Sequence, residues 1–189
     1  RAEVRAELGL SPEAKLLLSV GELNRNKNHI QVVRALPAII EQYPEVQYAI
    51  AGEGKLREAL TVEANRLGVA DRLHLLGYRR DVERLLPAAD LFVFPSKREG
   101  LPIALIEAAG AGIPFVAADI RGNRDVAQQI NGGSLVPVDD CEGWAQNILH
   151  ALAQQPNTEG AQKAKAYALG PVLGQIGGIY RRLGIGGSA

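Results

Sequence analysis

Two glutamates seven residues apart bracket an otherwise apolar run, Glu99-Gly-Leu-Pro-Ile-Ala-Leu-Ile-Glu107. A carboxylate in such a setting must find hydrogen-bond donors or its pKa rises. The hydroxyls of a sugar or a ribose are donors of that kind. Pro102 suits the first position of a helix, where its missing N–H would go unbonded anyway. The N–H groups of Ile103 and Ala104 would then be unbonded donors at the positive end of a helix dipole, a site for phosphate. Every other residue from Ile103 to Ile113 is Ile, Leu, Ala or Gly, so this helix is expected to be buried nearly all round. Plain structural roles stay open: Glu99 as a helix cap, Glu107 paired with an Arg or a backbone N–H.

Four other short segments carry polar chemistry. VGELNRNKNH, Val20 to His29, offers Gly21, Asn24, Arg25, Lys27 and Asn28 in one turn. Glycine permits close backbone approach, and Lys and Arg suit phosphate oxygens. It is not a P-loop, since GxxxxGK[ST] is absent; it could equally be a solvated loop with Asn28 capping a helix. In GYRRD, Gly77 to Asp81, Tyr78 or Arg79 could stack on a planar base while the backbone reads its edge; a helix start capped by Asp81 is the alternative. AGEGK, Ala51 to Lys55, reads as turn chemistry. In ADIRGNRD, Arg121, Asn123 and Arg124 would face one edge, unless Asp119 or Asn123 simply caps the next helix. His74 and His150 read as packing or surface residues, and Tyr43 and Trp144 as packing residues.

These segments need a frame. Apolar runs predict strands at Leu16–Val20, Val46–Gly52, Leu73–Gly77, Leu91–Pro95, Phe115–Asp119 and Ser134–Val138. Amphipathic segments lie between them, with helices from about Asn28 to Gln42 and Glu142 to Gln154, and more beyond Glu159. Val172, Leu173, Ile176, Ile179, Tyr180 and Leu183 keep helical spacing, but Gly174, Gly177 and Gly178 interrupt it. Each interior Gly costs about 1 kcal/mol against Ala, so a weak helix is expected there. Strands apolar on both faces, separated by helices, predict an α/β fold: a doubly wound parallel six-stranded sheet with helices on both faces. Such sheets bind ligands outside the carboxyl ends of their strands. The polar turns after strands one to four would all emerge there.

Bulk properties narrow the function. The chain has 189 residues, 47% hydrophobic and 22% charged, with zero formal net charge. That balance argues against nucleic acid or an anionic membrane as a broad electrostatic partner. No apolar run approaches the roughly 18 to 20 residues of a membrane span, and no signal peptide is recognised. The single Cys141 can form no internal disulfide, and no Cys/His cluster marks a zinc site. A cytoplasmic location is the expectation. The chain begins with Arg, contains no Met and ends in IGGSA, which reads as a piece of a larger or an engineered protein.

The ordered set VGELNRNKNH, AGEG, LGYRRDVERLLPAAD, FPSKREGLPIALIEAAGAGIPFVAADIRGNRDV and NGGSLVPVDD resembles the donor-binding C-terminal domain of GT-B glycosyltransferases. It looks most like the retaining family 4, of the type that builds bacterial capsular or extracellular polysaccharide. The likeness runs from about residue 14 to 183. Its most specific element is the pair of glutamates in FPSxxEGxPxxxxEAxAxGxP. The whole chain, 1–189, would then be one Rossmann-like domain that binds a nucleotide sugar. Residues 184–189 would be a linker or tail, and the N-terminal acceptor domain would be absent.

The resemblance implies roles. Glu99 would contact the donor sugar, and Glu107 the ribose hydroxyls. Gly21 and the N–H groups of Gly100, Leu101 and Ile103 would lie near the diphosphate and sugar. Lys27, assisted by Arg25, would neutralise the leaving diphosphate. The backbone at Tyr78 and Arg79 would read the base. It implies a donor such as a UDP-sugar, no metal and no cofactor, and contact with a membrane only through a lipid-linked acceptor. Alone, the domain should bind nucleotide but transfer sugar poorly. This chain departs from the pattern at Glu22, where many members carry Arg, and in EAAGAG, where Met and Cys are common. An isolated or engineered module with a vestigial site is the alternative reading. A nucleotide-sugar enzyme of another kind, such as a 2-epimerase, fits the paired glutamates less well.

Overall fold

The computed structural model describes residues 1–130 and 133–154. The expected helix beyond Glu159, the glycine-interrupted segment and the tail all lie outside the described residues. The strands form where the apolar runs predict them: β1 Leu16–Val20, β2 Gln47–Ala51, β3 Leu73–Gly77, β4 Leu91–Phe94, β5 Phe115–Ala118 and β6 Ser134–Val136. All pair in parallel, in the order β3-β2-β1-β4-β5-β6. The order reverses between β1 and β4, and a crevice opens there beyond the carboxyl ends.

The helices are α1 Ala2–Glu7, α2 Ile30–Gln42, α3 Arg57–Arg66, α4 Val82–Leu85, α5 Ile103–Gly110, α6 Arg121–Ile130 and α7 Cys141–Ala153. Side chains alternate across the strands and build two cores. Leu17, Tyr48, Ile50, Leu91, Val93 and Val116 pack with α2, α3 and α7 on one face. Leu16, Leu18, Ala49, Phe92, Phe94 and Phe115 pack with α1, α4, α5 and α6 on the other. Trp144 is fully buried in the first core, and Tyr43 packs against it. The Asp140 carboxylate caps α7 by accepting the Gly143 N–H at 2.9 Å.

Sequence patterning misses helix α1, whose single buried apolar residue is Val4. Six residues are too few to show a period. Its position is set by charge, through Arg1 and Arg5 on the Asp90 carboxylate. Among the described residues no helix is long and apolar enough to cross a membrane.

Candidate functional site

The site grows from two loops at the crevice. After β1, the Asn24 side-chain oxygen accepts the Lys27 N–H at 2.9 Å and folds the turn. Asn28 follows with φ 55°, a conformation that Asn tolerates better than most residues. It therefore does not cap α2; its amide reaches the Val138 carbonyl instead, at 3.4 Å. The turn is then laced to the loop after β4. Asn26 donates its side-chain amide to the Arg98 carbonyl at 2.9 Å, and its own carbonyl accepts the Lys97 N–H at 2.8 Å.

This lacing brings Lys27 and Glu99 together. Lys27 Nζ donates to Glu99 Oε1 at 2.8 Å, with the side chains 22% and 12% exposed. The same ammonium lies 5.2 Å from the centre of the Phe94 ring, a cation–π contact worth about 1 kcal/mol. Gly21 leaves room for this Lys: a Cβ there would sit 3.2 Å from Lys27 side-chain carbons. So the glycine serves the lysine stem, and its own N–H is bonded to the Ala51 carbonyl at 3.0 Å. Arg25 is exposed. It lines a cavity of about 230 Å³ with Leu23, Asn24, Ile30, Leu56 and Lys97, and pairs with no carboxylate among the described residues.

The start of α5 corrects two expectations. Pro102 caps the helix from outside rather than opening it. The Ile103 N–H is not an unbonded donor, because it closes a tight turn onto the Leu101 carbonyl at 2.9 Å. The N–H groups of Gly100, Leu101 and Ala104 donate to no acceptor among the described residues, and Gly100 and Leu101 are exposed. The start of α6 closes this loop from behind. A Cβ on Gly122 would lie 3.0 Å from the Glu99 carbonyl oxygen, and Arg121 stands exposed beside it.

Nor is α5 buried nearly all round. Leu105, Ala108 and Ala109 face the core, while Ile103 is 59% exposed and Glu107 is exposed too. Composition alone cannot distinguish a small apolar face in a core from one on an open edge. The Glu107 carboxylate accepts no hydrogen bond from the described residues; partial burial, and then the charge of Glu83, raise its pKa. Glu83 carried no signal in the sequence, since only the fold sets α4 beside α5.

Tyr78 is 68% exposed on the same edge. Arg79 is not available for stacking: its guanidinium is held by Asp81, with Nε and Nη2 each at 2.8 Å, and by Glu7 at 2.6 Å. Asp81 stands at the cap position of α4 but makes no side-chain cap bond, because its carboxylate is taken by Arg79 and Arg84. The N–H groups of Tyr78 and Arg79 donate to no described acceptor. In the turn after β5, Asn123 is fully buried and donates to the Ala118 carbonyl at 2.9 Å, while Arg124 pairs with Asp119. Of that trio Arg121 is left exposed at the edge, with no ion pair among the described residues.

Beneath the site lies a buried polar chain that the sequence did not reveal. Ser19 Oγ donates to the Val93 carbonyl at 2.6 Å and meets the Tyr48 hydroxyl at 2.9 Å, which lies 3.4 Å from His29 Nδ1. Burial, and then the charge of Lys27, pull the His29 pKa down to about 4, so the ring is neutral at pH 7.

Comparison with known proteins gives this geometry a family. A family model described as "Glycosyl transferases group 1" matches residues 1–169. Among curated relatives, the UDP-Gal:alpha-D-GlcNAc-diphosphoundecaprenol alpha-1,3-galactosyltransferase of Escherichia coli is 33% identical over 145 residues, 75% of this chain and 38% of that protein. The D-inositol 3-phosphate glycosyltransferase of Mycobacterium marinum is 31% identical over 175 residues, 89% of this chain and 37% of that protein. Among solved structures, WaaG, a glycosyltransferase involved in lipopolysaccharide biosynthesis, matches with TM-score 0.78 and 29% identity over 89% of this chain and 46% of that one. The chain thus spans less than half the length of each of these relatives.

Proposed function

This chain belongs to the group 1 glycosyl transferases, and we propose that it is the donor-binding half of a retaining, family 4 enzyme that passes a hexosyl group from a UDP-sugar to a polysaccharide or lipid-linked acceptor in the cytoplasm. The observation that carries the reading is the Lys27–Glu99 pair at the sheet's switch point, beside the N–H groups of Gly100, Leu101 and Ala104, which donate to no acceptor among the described residues. A nucleoside diphosphate sugar presents the complementary set: phosphate oxygens for Lys27 and the backbone donors, and hydroxyls for Glu99 and Glu107. The UDP-Gal in the E. coli relative's name supports uridine as the base.

In this reading the bond between the anomeric carbon and the bridging oxygen of the β-phosphate breaks and leaves its electron pair on the diphosphate, while an acceptor hydroxyl oxygen bonds to the anomeric carbon and gives its proton to the departing diphosphate. Lys27 and the α5 terminus meet that charge, as a preorganised cationic site does in transfer chemistry. Arg25 and Arg121 stand exposed nearby to add to it. These groups do the work that a divalent ion does elsewhere. Tyr78 offers a face to the base and the 78–79 backbone offers donors. The acceptor would be held by the part of the protein that the relatives have and this chain does not span.

Calorimetric titration of the chain with UDP, GDP and ADP, without metal and then with Mg²⁺, tests this. Saturable binding of UDP at equal strength in both conditions is the expected result. No binding of any nucleotide to folded chain would overturn it and favour a vestigial site.

A further inference from the structure

Helix α1 lies antiparallel to the segment from the end of β3 to the start of β4, and polar contacts join them along its length. Arg1 donates to the carbonyls of Pro87 and Ala89, both at 3.1 Å, and to Asp90 at 2.6 Å. Arg5 also reaches Asp90, at 3.1 Å. Glu3 accepts from Arg84 at 3.4 Å, and Glu7 accepts from Arg79 at 2.6 Å. The Asp90 carboxylate takes the Leu16 N–H at 2.8 Å as well, which ties the foot of α1 to the start of β1. Arg5 also donates to the carbonyls of Ser11 and Ala14, so the body of the helix sits by the amino edge, with Val4 buried against the second core, and the Glu7 side chain carries a contact on to the turn beyond β3.

Through Glu7 this strut reaches the turn after β3. Arg79 makes two of its bonds to Asp81, two residues away, and these move with the turn. Among the described residues, Glu7 is the one partner that ties Arg79 to anything outside its own loop. We propose that Glu7 is a positioning residue: through Arg79 it holds the backbone of Tyr78 and Arg79 where the turn recognises a nucleotide base, and so sets base preference. This rests on the donor-site reading above. A preorganised recognition turn binds more tightly than one that must be ordered on binding, and the loss falls on base discrimination rather than on phosphate binding. The bonds to Arg79 hold the Glu7 and Asp81 carboxyls below their ordinary range, so the clamp is charged throughout the neutral range.

The test compares Glu7→Ala and Glu7→Gln with the control Glu3→Ala, whose partner lies midway along the strut. Backbone ¹⁵N order parameters are measured at residues 78–80, with Kd values for UDP, GDP, ADP and inorganic pyrophosphate. In Glu7→Ala the order parameters should fall from about 0.85 to below about 0.6. UDP affinity should drop about threefold to fivefold, its advantage over GDP and ADP should narrow, and pyrophosphate binding should stay unchanged. Glu7→Gln, which keeps an acceptor, should lie between, and Glu3→Ala should match the unaltered chain. Unchanged order parameters, or a UDP preference equal to that of the control, would overturn the proposal. If the unaltered chain binds no nucleotide, the donor-site reading fails, and with it the recognition role. The order parameters then still report separately on whether Glu7 braces the turn.

Discussion

Lys27 and Glu99 are bonded to each other, so a diphosphate that takes the lysine must take it from the glutamate. This predicts opposite effects of the two charges. Lys27→Ala should weaken UDP about tenfold to a hundredfold, the scale of a charge-assisted hydrogen bond of roughly 1.5–3 kcal/mol. Glu99→Gln should leave UDP and pyrophosphate bound as tightly or a few-fold more tightly, while the added affinity of a UDP-sugar over UDP shrinks. Calorimetry with the three ligands reads both, and equal losses in the two variants would refute a division of labour. Glu107 allows function and stability to be separated. Its pKa is raised in the fold, so its protonated form is favoured there, and any stabilisation is lost as pH rises through the folded value. Glu107→Gln should therefore leave the melting temperature at pH 7 unchanged or slightly higher, and still weaken nucleotide binding. A fall in both would mark Glu107 as structural.

At the scale of elements, the site depends on how α2 is seated. His29 stands just before it, joined to Tyr48 and through it to Ser19 and β4. The His29 pKa falls from its ordinary 6.5 to about 4 on folding. Between those values the unfolded chain takes up a proton that the native ring refuses, so stability falls as pH drops through this window. The change is about 3 kcal/mol; above pH 6.5 the group adds no pH dependence. Urea unfolding at pH 7 and pH 4.5 should show the larger part of this loss, and His29→Gln should remove most of it. A variant with the same pH dependence as the parent would show that other groups dominate. The loops on the two sides of the crevice, after β1 and after β4, are laced by Asn26, so acid loosening of α2 should also displace Lys27 from Glu99.

For the whole molecule, the chain covers 38% of the E. coli relative and 46% of WaaG. Tyr78, Leu101 and Ile103 are more than half exposed, in the turn after β3 and at the start of α5, the edge where the donor would enter. The chain alone is expected to bind UDP yet give no detectable transfer from a radiolabelled UDP-sugar to any lipid-linked or polysaccharide acceptor. Transfer by this chain alone would show that it holds a complete active site.

The frame of this protein was legible in its sequence, because burial imposes periodicity. Runs such as LLLSV and LFVFP are apolar on both faces only where a parallel sheet is covered twice, and all six strands fall on the predicted runs. The polar turns were legible too, as interruptions of that pattern. What tertiary structure alone decided were pairings between distant residues: Lys27 with Glu99, Asn26 with Arg98, and Arg79 with Glu7. Each joins residues 72 positions apart in the chain, and an ion pair or side-chain hydrogen bond leaves no period behind. The open face of α5 belongs to the same class. Ile, Leu and Ala read alike in a core and at the lip of a crevice, and only the placement of β4, α4 and α6 around that helix determined which side of Glu107 meets solvent.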